Sequence, residues 1–235
     1  MSFRFRQFNV EDGRCAMKVG TDAMLLGALA KVPDDARTAV DLGAGSGVLS
    51  LMLAQRAGHL HVTAVEIDPD AAADCALNFA ASPWSANLDC ICADVTEVSI
   101  RAVDVIISNP PFYTAQVASP DARREASRRA DVFSPSSVVR FAARTLSPKG
   151  LATLILPYAD LDRLQCEILL NRLYINKICA VSSRSGQKPF RAVVTIGRDE
   201  VDVTVGQLSI RNADNTWSDD YISLTKDFYL RIPRP

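Results

Sequence analysis

Asn109-Pro110-Pro111-Phe112 follows directly on the apolar run Val103-Asp104-Val105-Ile106-Ile107-Ser108. An amide, a stiff stretch of backbone and an aromatic face therefore leave the end of a buried strand together. This set of groups can hold a planar substrate that carries an NH2. The Asn109 side-chain oxygen and the Pro110 carbonyl accept its two hydrogens while Phe112 covers the ring, and Pro111 and Tyr113 flank the grip. The prolines fix φ at about −65° and keep the residues before them out of the helical region, so the acceptors stay in place at little further ordering cost. The same residues also read as an ordinary strand-ending turn, so the surrounding chain has to decide.

Short apolar strands alternate with longer helical patterns along most of the chain. Thr38 to Leu42, Val62 to Ile67, Asp89 to Ala93, Val103 to Ser108 and Leu151 to Leu156 read as strands, several of them apolar on both faces. Between them Val48 to Ala57, Pro69 to Ala80 and Ser137 to Leu146 carry helical spacing. Asp160 to Arg172 reads as a further helix. Tyr174 to Ser182 and Ala192 to Arg198 follow as a terminal antiparallel pair joined by the polar loop Ser183 to Pro189. The pattern predicts a doubly wound, mostly parallel seven-stranded α/β sheet of Rossmann-like type, with a short N-terminal extension. Gln207 to Tyr229 shows only short strand-like runs.

Such a sheet binds ligands at the carboxyl ends of its strands, and the polar residues of the sequence fall there. Asp41-Leu42-Gly43-Ala44-Gly45-Ser46-Gly47 leaves the first strand of the repeat and opens a helix, so bare backbone can approach a ligand at a positively polarised helix end. The spacing is G-x-G-x-G, which differs from the G-x-G-x-x-G of a dinucleotide fingerprint. Glu66, ending the second strand, suits the two hydroxyls of a ribose, although a carboxylate there also suits NAD. Asp94, after the third strand, can accept from an adenine amine or cap a turn. Thr21 and Asp22 precede a helical pattern and read as an N-cap.

The sequence resembles the class I S-adenosylmethionine-dependent methyltransferases. The resemblance rests on the glycine segment Asp41 to Gly47, on Glu66-Ile67-Asp68, on Asp94 and on Asn109-Pro110-Pro111-Phe112. Within that class it is similar to the bacterial tRNA1(Val) adenine N6-methyltransferases. Phe3-Arg4-Phe5-Arg6-Gln7-Phe8, Met17-Lys18-Val19-Gly20-Thr21-Asp22-Ala23-Met24 and the stretch Ala122-Arg123-Arg124-Glu125-Ala126-Ser127-Arg128 carry the narrower likeness. The resemblance implies S-adenosylmethionine as cofactor, held by Lys18, Thr21, Asp41, Gly43, Gly45, Glu66, Asp94 and Asn109. It also implies residues 1–35 as an extension closing over the cofactor side of a single domain, and catalysis by Asn109, Pro110 and Phe112 on an adenine beside the anticodon of a valine tRNA. Pro111, Tyr113, Arg123, Arg124 and Arg128 are then the substrate-side residues.

Composition is consistent with this. The chain has 235 residues with a net charge of −1, so an RNA partner needs a local basic surface. Arg4, Arg6, Arg14 and Lys18 near the N-terminus, and Arg184, Lys188 and Arg191 around the late polar loop, are candidates to extend one begun by Arg123, Arg124, Arg128 and Arg129. No apolar stretch reaches the roughly 20 residues of a membrane span, and no secretory leader opens the chain, which points to a cytoplasmic protein. The six cysteines lack disulfide or Cys-x-x-Cys spacing and read as buried free thiols, with Cys90 and Cys92 as apolar fillers. His59 and His61 are the only histidines, too few for a zinc site or a Ser-His-Asp triad. An rRNA guanine N2-methyltransferase, a protein glutamine methyltransferase and a non-catalytic RNA-binding protein on the same scaffold stay open as alternatives.

Overall fold

The computed structural model of the protein describes residues 2–112 and 133–230. Tyr113, Arg123, Arg124, Arg128 and Arg129 lie outside the described residues. At the N-terminus, β1 (Ser2–Arg4) and β2 (Asn9–Glu11) form an antiparallel hairpin, followed by α1 (Thr21–Leu29). The repeat then runs β3 (Thr38–Leu42), α2 (Val48–Arg56), β4 (His61–Glu66), α3 (Pro69–Ala80), β5 (Leu88–Cys92) and β6 (Val103–Ser108). It continues with α4 (Pro135–Thr145), β7 (Leu146–Pro157), α5 (Leu161–Leu170), β8 (Tyr174–Arg184), β9 (Arg191–Gly197), β10 (Thr204–Arg211) and α6 (Asp219–Thr225).

The main sheet has the order β10-β8-β9-β7-β6-β3-β4-β5. Only β9 runs antiparallel to its neighbours. β3, β4, β6, β7, β8 and β10 therefore all present their carboxyl ends on one edge. The expected architecture is present with eight strands where the sequence predicts seven. The eighth, β10, adds parallel to β8 at the end of the sheet, and its first half is exposed, including Val205 at 66%. A half-solvated strand at a sheet edge has little apolar alternation to read.

The central strands are apolar because both of their faces are covered. Leu42, Val62, Val65, Val105, Ile106, Ile107, Leu154 and Val194 are fully buried, and they divide between two cores on opposite sides of the sheet. The chain builds outward from β3 to β4 and β5, then returns to place β6 on the other side of β3. That reversal opens a crevice between the carboxyl ends of β3 and β6. Ser108 Oγ donates to the Leu42 carbonyl at 2.8 Å across this point and pins the two strand ends together.

The N-terminal hairpin is an aromatic plug. Phe5 stacks on Phe8 at 4.3 Å between ring centres, Phe8 meets Trp84 edge-on at 5.9 Å, and Phe5 bridges to Tyr229. Polar bonds fasten the following segment to α3. Asn78 accepts from the Glu11 N–H and donates to the carbonyls of Glu11 and Ser46. Arg14 forms an ion pair with the buried Asp74 at 2.6 Å.

The thiols differ from the expectation in part. Cys15, Cys75 and Cys179 are buried, Cys90 is half-buried, and Cys92 and Cys166 are exposed. Cys92 ends the edge strand β5, whose last residues are exposed. No described helix is long and apolar enough to cross a membrane.

Candidate active site

The glycine turn between β3 and α2 is left-handed at Gly43, Gly45 and Gly47, with φ of 68°, 54° and 78°. Side chains rarely adopt such values, and two of these positions show different uses of glycine. A Cβ on Gly47 would lie 2.6 Å from the Phe79 ring and 2.7 Å from Cys75 Sγ, so this glycine lets α3 pack close. A Cβ on Gly45 would meet nothing within 4 Å, because that face of the turn opens into a cavity.

Glu66 fixes the turn from β4. Its Oε2 accepts from the Gly45 N–H at 2.7 Å and its Oε1 from the Asp68 N–H at 2.9 Å. Each carboxylate oxygen keeps a second lone pair, so the group can still accept from a pair of hydroxyls. Asp68 in turn caps α3 by accepting from the Asp70 and Ala71 N–H groups. Ile67, between the two acids, is 57% exposed, an apolar surface that the sequence reading leaves without a role.

Asp41 lies beneath the turn, fully buried, and neither it nor Glu66 is among the residues that line the cavity. Its Oδ2 accepts from both the N–H and the Oγ of Ser50 in the first turn of α2, while Oδ1 has no partner among the described residues. Burial pushes its carboxyl up to about 7 against the pull of the Ser50 bonds, and the charge of Glu66 adds to the rise. Asp41 therefore ties the turn to the start of α2. Asp94 Oδ1 accepts from the N–H and Oγ1 of Thr96, the turn-capping alternative of the sequence reading.

The cavity has a volume of about 330 Å³ and lies between the glycine turn, residues 17–23 and Asn109. Thr21 lines it as the first residue of α1. The N-cap is Gly20, which is extended and makes no side-chain cap, so the expected capping by Thr21 is not found. Asp22, in the first turn, points its carboxylate to Arg191 on β9, with Nε to Oδ2 at 3.0 Å. Lys18 also lines the cavity, but its ammonium donates to the carbonyls of Asp12, Gly13 and Cys15. All three ammonium hydrogens thus close the loop that forms the lip.

Asn109 reaches the cavity from the end of β6. Its Oδ1 is buried and has no hydrogen-bond partner among the described residues. A buried amide oxygen without a partner is costly, on the order of 1–3 kcal/mol, and calls for an explanation. Phe112 follows at half-burial, and the Arg191 guanidinium lies over its ring, 5.2 Å from the centroid. Arg191 also covers the Phe190 ring at 5.1 Å. It is committed to aromatic faces and to Asp22 and does not extend a free basic surface. Arg14, on Asp74, and Arg6, donating to the Lys226 carbonyl, are likewise engaged. The Asp22–Arg191–Phe112 arrangement carries no local sequence signal, because its members lie on three separate elements.

Known proteins are similar to this chain at three levels. The family model described as Methyltransferase small domain matches residues 16–133. A protein of Tolumonas auensis named tRNA1(Val) (adenine(37)-N6)-methyltransferase is 36% identical over 98% of both chains. Proteins of the same name are 38% identical in Aeromonas hydrophila, over 98% of both chains, and 36% identical in Bacteroides fragilis, again over 98% of both. Among solved structures, a predicted O-methyltransferase from Agrobacterium tumefaciens shares the fold with a TM-score of 0.67 at 21% identity, covering 88% of this chain and 96% of that one. A precorrin-6y C5,15-methyltransferase from Geobacter metallireducens does so with a TM-score of 0.55 at 13% identity, covering 82% and 94%.

Proposed function

Because the chain belongs to the family of tRNA1(Val) (adenine(37)-N6)-methyltransferases, we propose that it transfers a methyl group from S-adenosylmethionine to N6 of adenine 37 in that tRNA. The buried, unpartnered Oδ1 of Asn109, a residue that lines the cavity, is the single observation that carries this reading. It is an acceptor waiting for a donor, and an exocyclic amine supplies one.

The residues present fit the cofactor. The open face of Gly45 admits close approach to bare backbone, the remaining lone pairs of Glu66 suit ribose hydroxyls, and Met17 and Leu49 give the cavity apolar wall. S-adenosylmethionine, when bound, supplies an electrophilic methyl on a sulfonium. The chain's own task is to prepare the nucleophile. An aromatic amine is weakly nucleophilic because its lone pair is delocalised into the ring. Two carbonyl acceptors, Asn109 Oδ1 and the Pro110 carbonyl, on its hydrogens favour a pyramidal nitrogen whose lone pair is free to attack. The acceptors also take up the positive charge that grows on nitrogen in the transition state, so the stabilisation is larger there than in the ground state. Phe112 stacks on the purine and fixes its plane, which supplies the alignment that in-line displacement needs. As the new C–N bond forms the methyl C–S bond would break to leave a neutral thioether, and only then does the N–H become acidic and pass its proton to solvent, so no strong base is required before attack.

The test is methyl transfer from labelled cofactor to a tRNA1(Val) transcript, with the product nucleoside identified by mass spectrometry. N6-methyladenosine in the wild-type transcript, and none when adenine 37 is replaced by guanine, is the expected result. Label retained in the guanine-37 transcript overturns the assignment.

A further inference from the structure

We infer that Arg184 and Arg211, at the carboxyl ends of β8 and β10, form a second site that grips a phosphodiester of the substrate RNA beside the target nucleotide. This rests on the RNA-methylating function proposed above and adds where the RNA backbone is held.

The two arginines are the last residues of neighbouring parallel strands and are register partners, so two like charges stand side by side. Such a pair is unfavourable by itself. Among the described residues neither guanidinium has a carboxylate at ion-pair distance. The nearby acid Asp214 is turned back on Thr216, accepting from its Oγ1 and N–H at 2.6 and 3.0 Å. Asp22, next to Thr21, is held by Arg191.

Both guanidiniums are nevertheless held in place. Arg184 Nη2 donates to the Asn215 side-chain oxygen at 2.9 Å, and Arg211 Nη1 donates to the Asn215 carbonyl at 2.7 Å. Arg211 also lies over the Trp217 ring, 3.9 Å from its centre, and Trp217 stacks on Tyr221 at 5.2 Å. Each guanidinium has five N–H donors in a planar fork, and these bonds use one on each. The remaining donors of two pre-positioned forks match the oxygens of a phosphate, which accept bidentately from arginine.

The location links this pair to the chemistry. The arginines line a cavity of about 400 Å³, within the range of roughly 300–1,000 Å³ typical of small-ligand sites. Thr21 lines both this cavity and the one bounded by Asn109 and the glycine turn. Both open on the strand edge where β3, β6, β8 and β10 end. A base inserted at Asn109 therefore carries its neighbouring backbone past Thr21 toward the arginine pair. With a net charge of −1 the chain has no global attraction for RNA, so a local site of this kind is needed.

The experiment measures binding of a fluorescent anticodon stem-loop RNA across a salt series, for the wild-type protein, R184Q/R211Q and R184K/R211K. Cofactor affinity and melting temperature are measured on each; cofactor affinity is expected to match wild type, and the melting temperature verifies that each variant is folded at the assay temperature. In R184Q/R211Q, RNA affinity should fall roughly 10-fold or more, and the slope of log affinity against log salt should become shallower by about 0.7–0.9 for the lost phosphate contact. R184K/R211K keeps the charge and loses the forks, so it should keep the wild-type slope at reduced affinity. Wild-type affinity and slope in R184Q/R211Q overturn the inference. Failure of the wild-type protein to methylate adenine 37 counts against the proposed function alone, because RNA binding is read separately from methyl transfer.

Discussion

Arg191 Nε sits 3.0 Å from Asp22 Oδ2 while its guanidinium covers the face of Phe112, so one side chain connects the first turn of the cavity's helix to the ring proposed to stack on the substrate. The ion pair is mostly shielded, with the two side chains 22% and 24% exposed. Arg191 acts here through Phe112, as a positioning residue. Replacing Arg191 with Met removes the charge and the pairing while keeping the bulk. RNA-dependent kcat/KM should fall about 10-fold, with cofactor affinity changed less than threefold. Single-turnover methyl transfer and equilibrium cofactor binding separate the two. R191K should restore only part of the rate, because an ammonium cannot lie flat on the ring while pairing with Asp22.

Asn109→Ala removes the unpartnered acceptor. Turnover should drop by about 100-fold or more, the scale associated with loss of one pre-positioned polar group in an active site. Cofactor and RNA affinities should stay near wild type, since the lost interaction strengthens in the transition state. A rate loss matched by an equal rise in the RNA dissociation constant would instead assign Asn109 to binding.

Alanine at the two glycines should divide affinity from stability. Gly45→Ala adds a methyl to the open face of the turn at φ 54°, so cofactor affinity should fall strongly while backbone strain costs about 1–2 kcal/mol. Gly47→Ala drives its Cβ into Phe79 and Cys75, so the melting temperature should fall further than in Gly45→Ala. Calorimetric cofactor titration and thermal melts on both variants check the contrast.

Asp41 makes stability depend on pH. Its carboxyl titrates at about 7 in the fold, because burial penalises the charge, and at about 3.9 when unfolded. Between these values the folded state holds more protons than the unfolded one, so this group's contribution falls as pH rises from about 4 to about 7. Asp41→Asn cannot ionise and should gain stability relative to wild type as pH rises across that window. Urea midpoints of both proteins at about pH 5 and about pH 8 measure the difference. An equal gap at the two values would remove the titration from Asp41.

The parts of this molecule that were legible in the sequence are those whose neighbours are close in the chain or whose environment is uniform. β3, β4, β6 and the glycine turn are of this kind, since strands buried on both faces are apolar throughout and left-handed turns select glycine. β10 was hidden because half of it is solvated, and α6 because it is only seven residues long and opens on a single Ser218 cap. The sequence reads Thr21 as a cap of α1, but the extended Gly20 occupies that position and Thr21 lines the cavity. The partners of Lys18, Arg14 and Arg191 were equally hidden. A basic residue has the same appearance in a sequence whether it faces solvent, a backbone carbonyl or, as with Arg191, an acid 169 positions away.

The seat of the N-terminal plug includes residues from the far end of the chain. Phe5 bridges to Tyr229, and the Arg6 N–H donates to the Phe228 carbonyl. During synthesis, the first strands emerge long before that seat exists, and the hairpin cannot dock fully until residue 229 has cleared the ribosome. The loop held by Lys18, which lines the cavity beside the glycine turn, follows the hairpin directly. A nascent chain stalled before Phe228 would carry the glycine turn and Asn109 while the hairpin still lacks part of its seat.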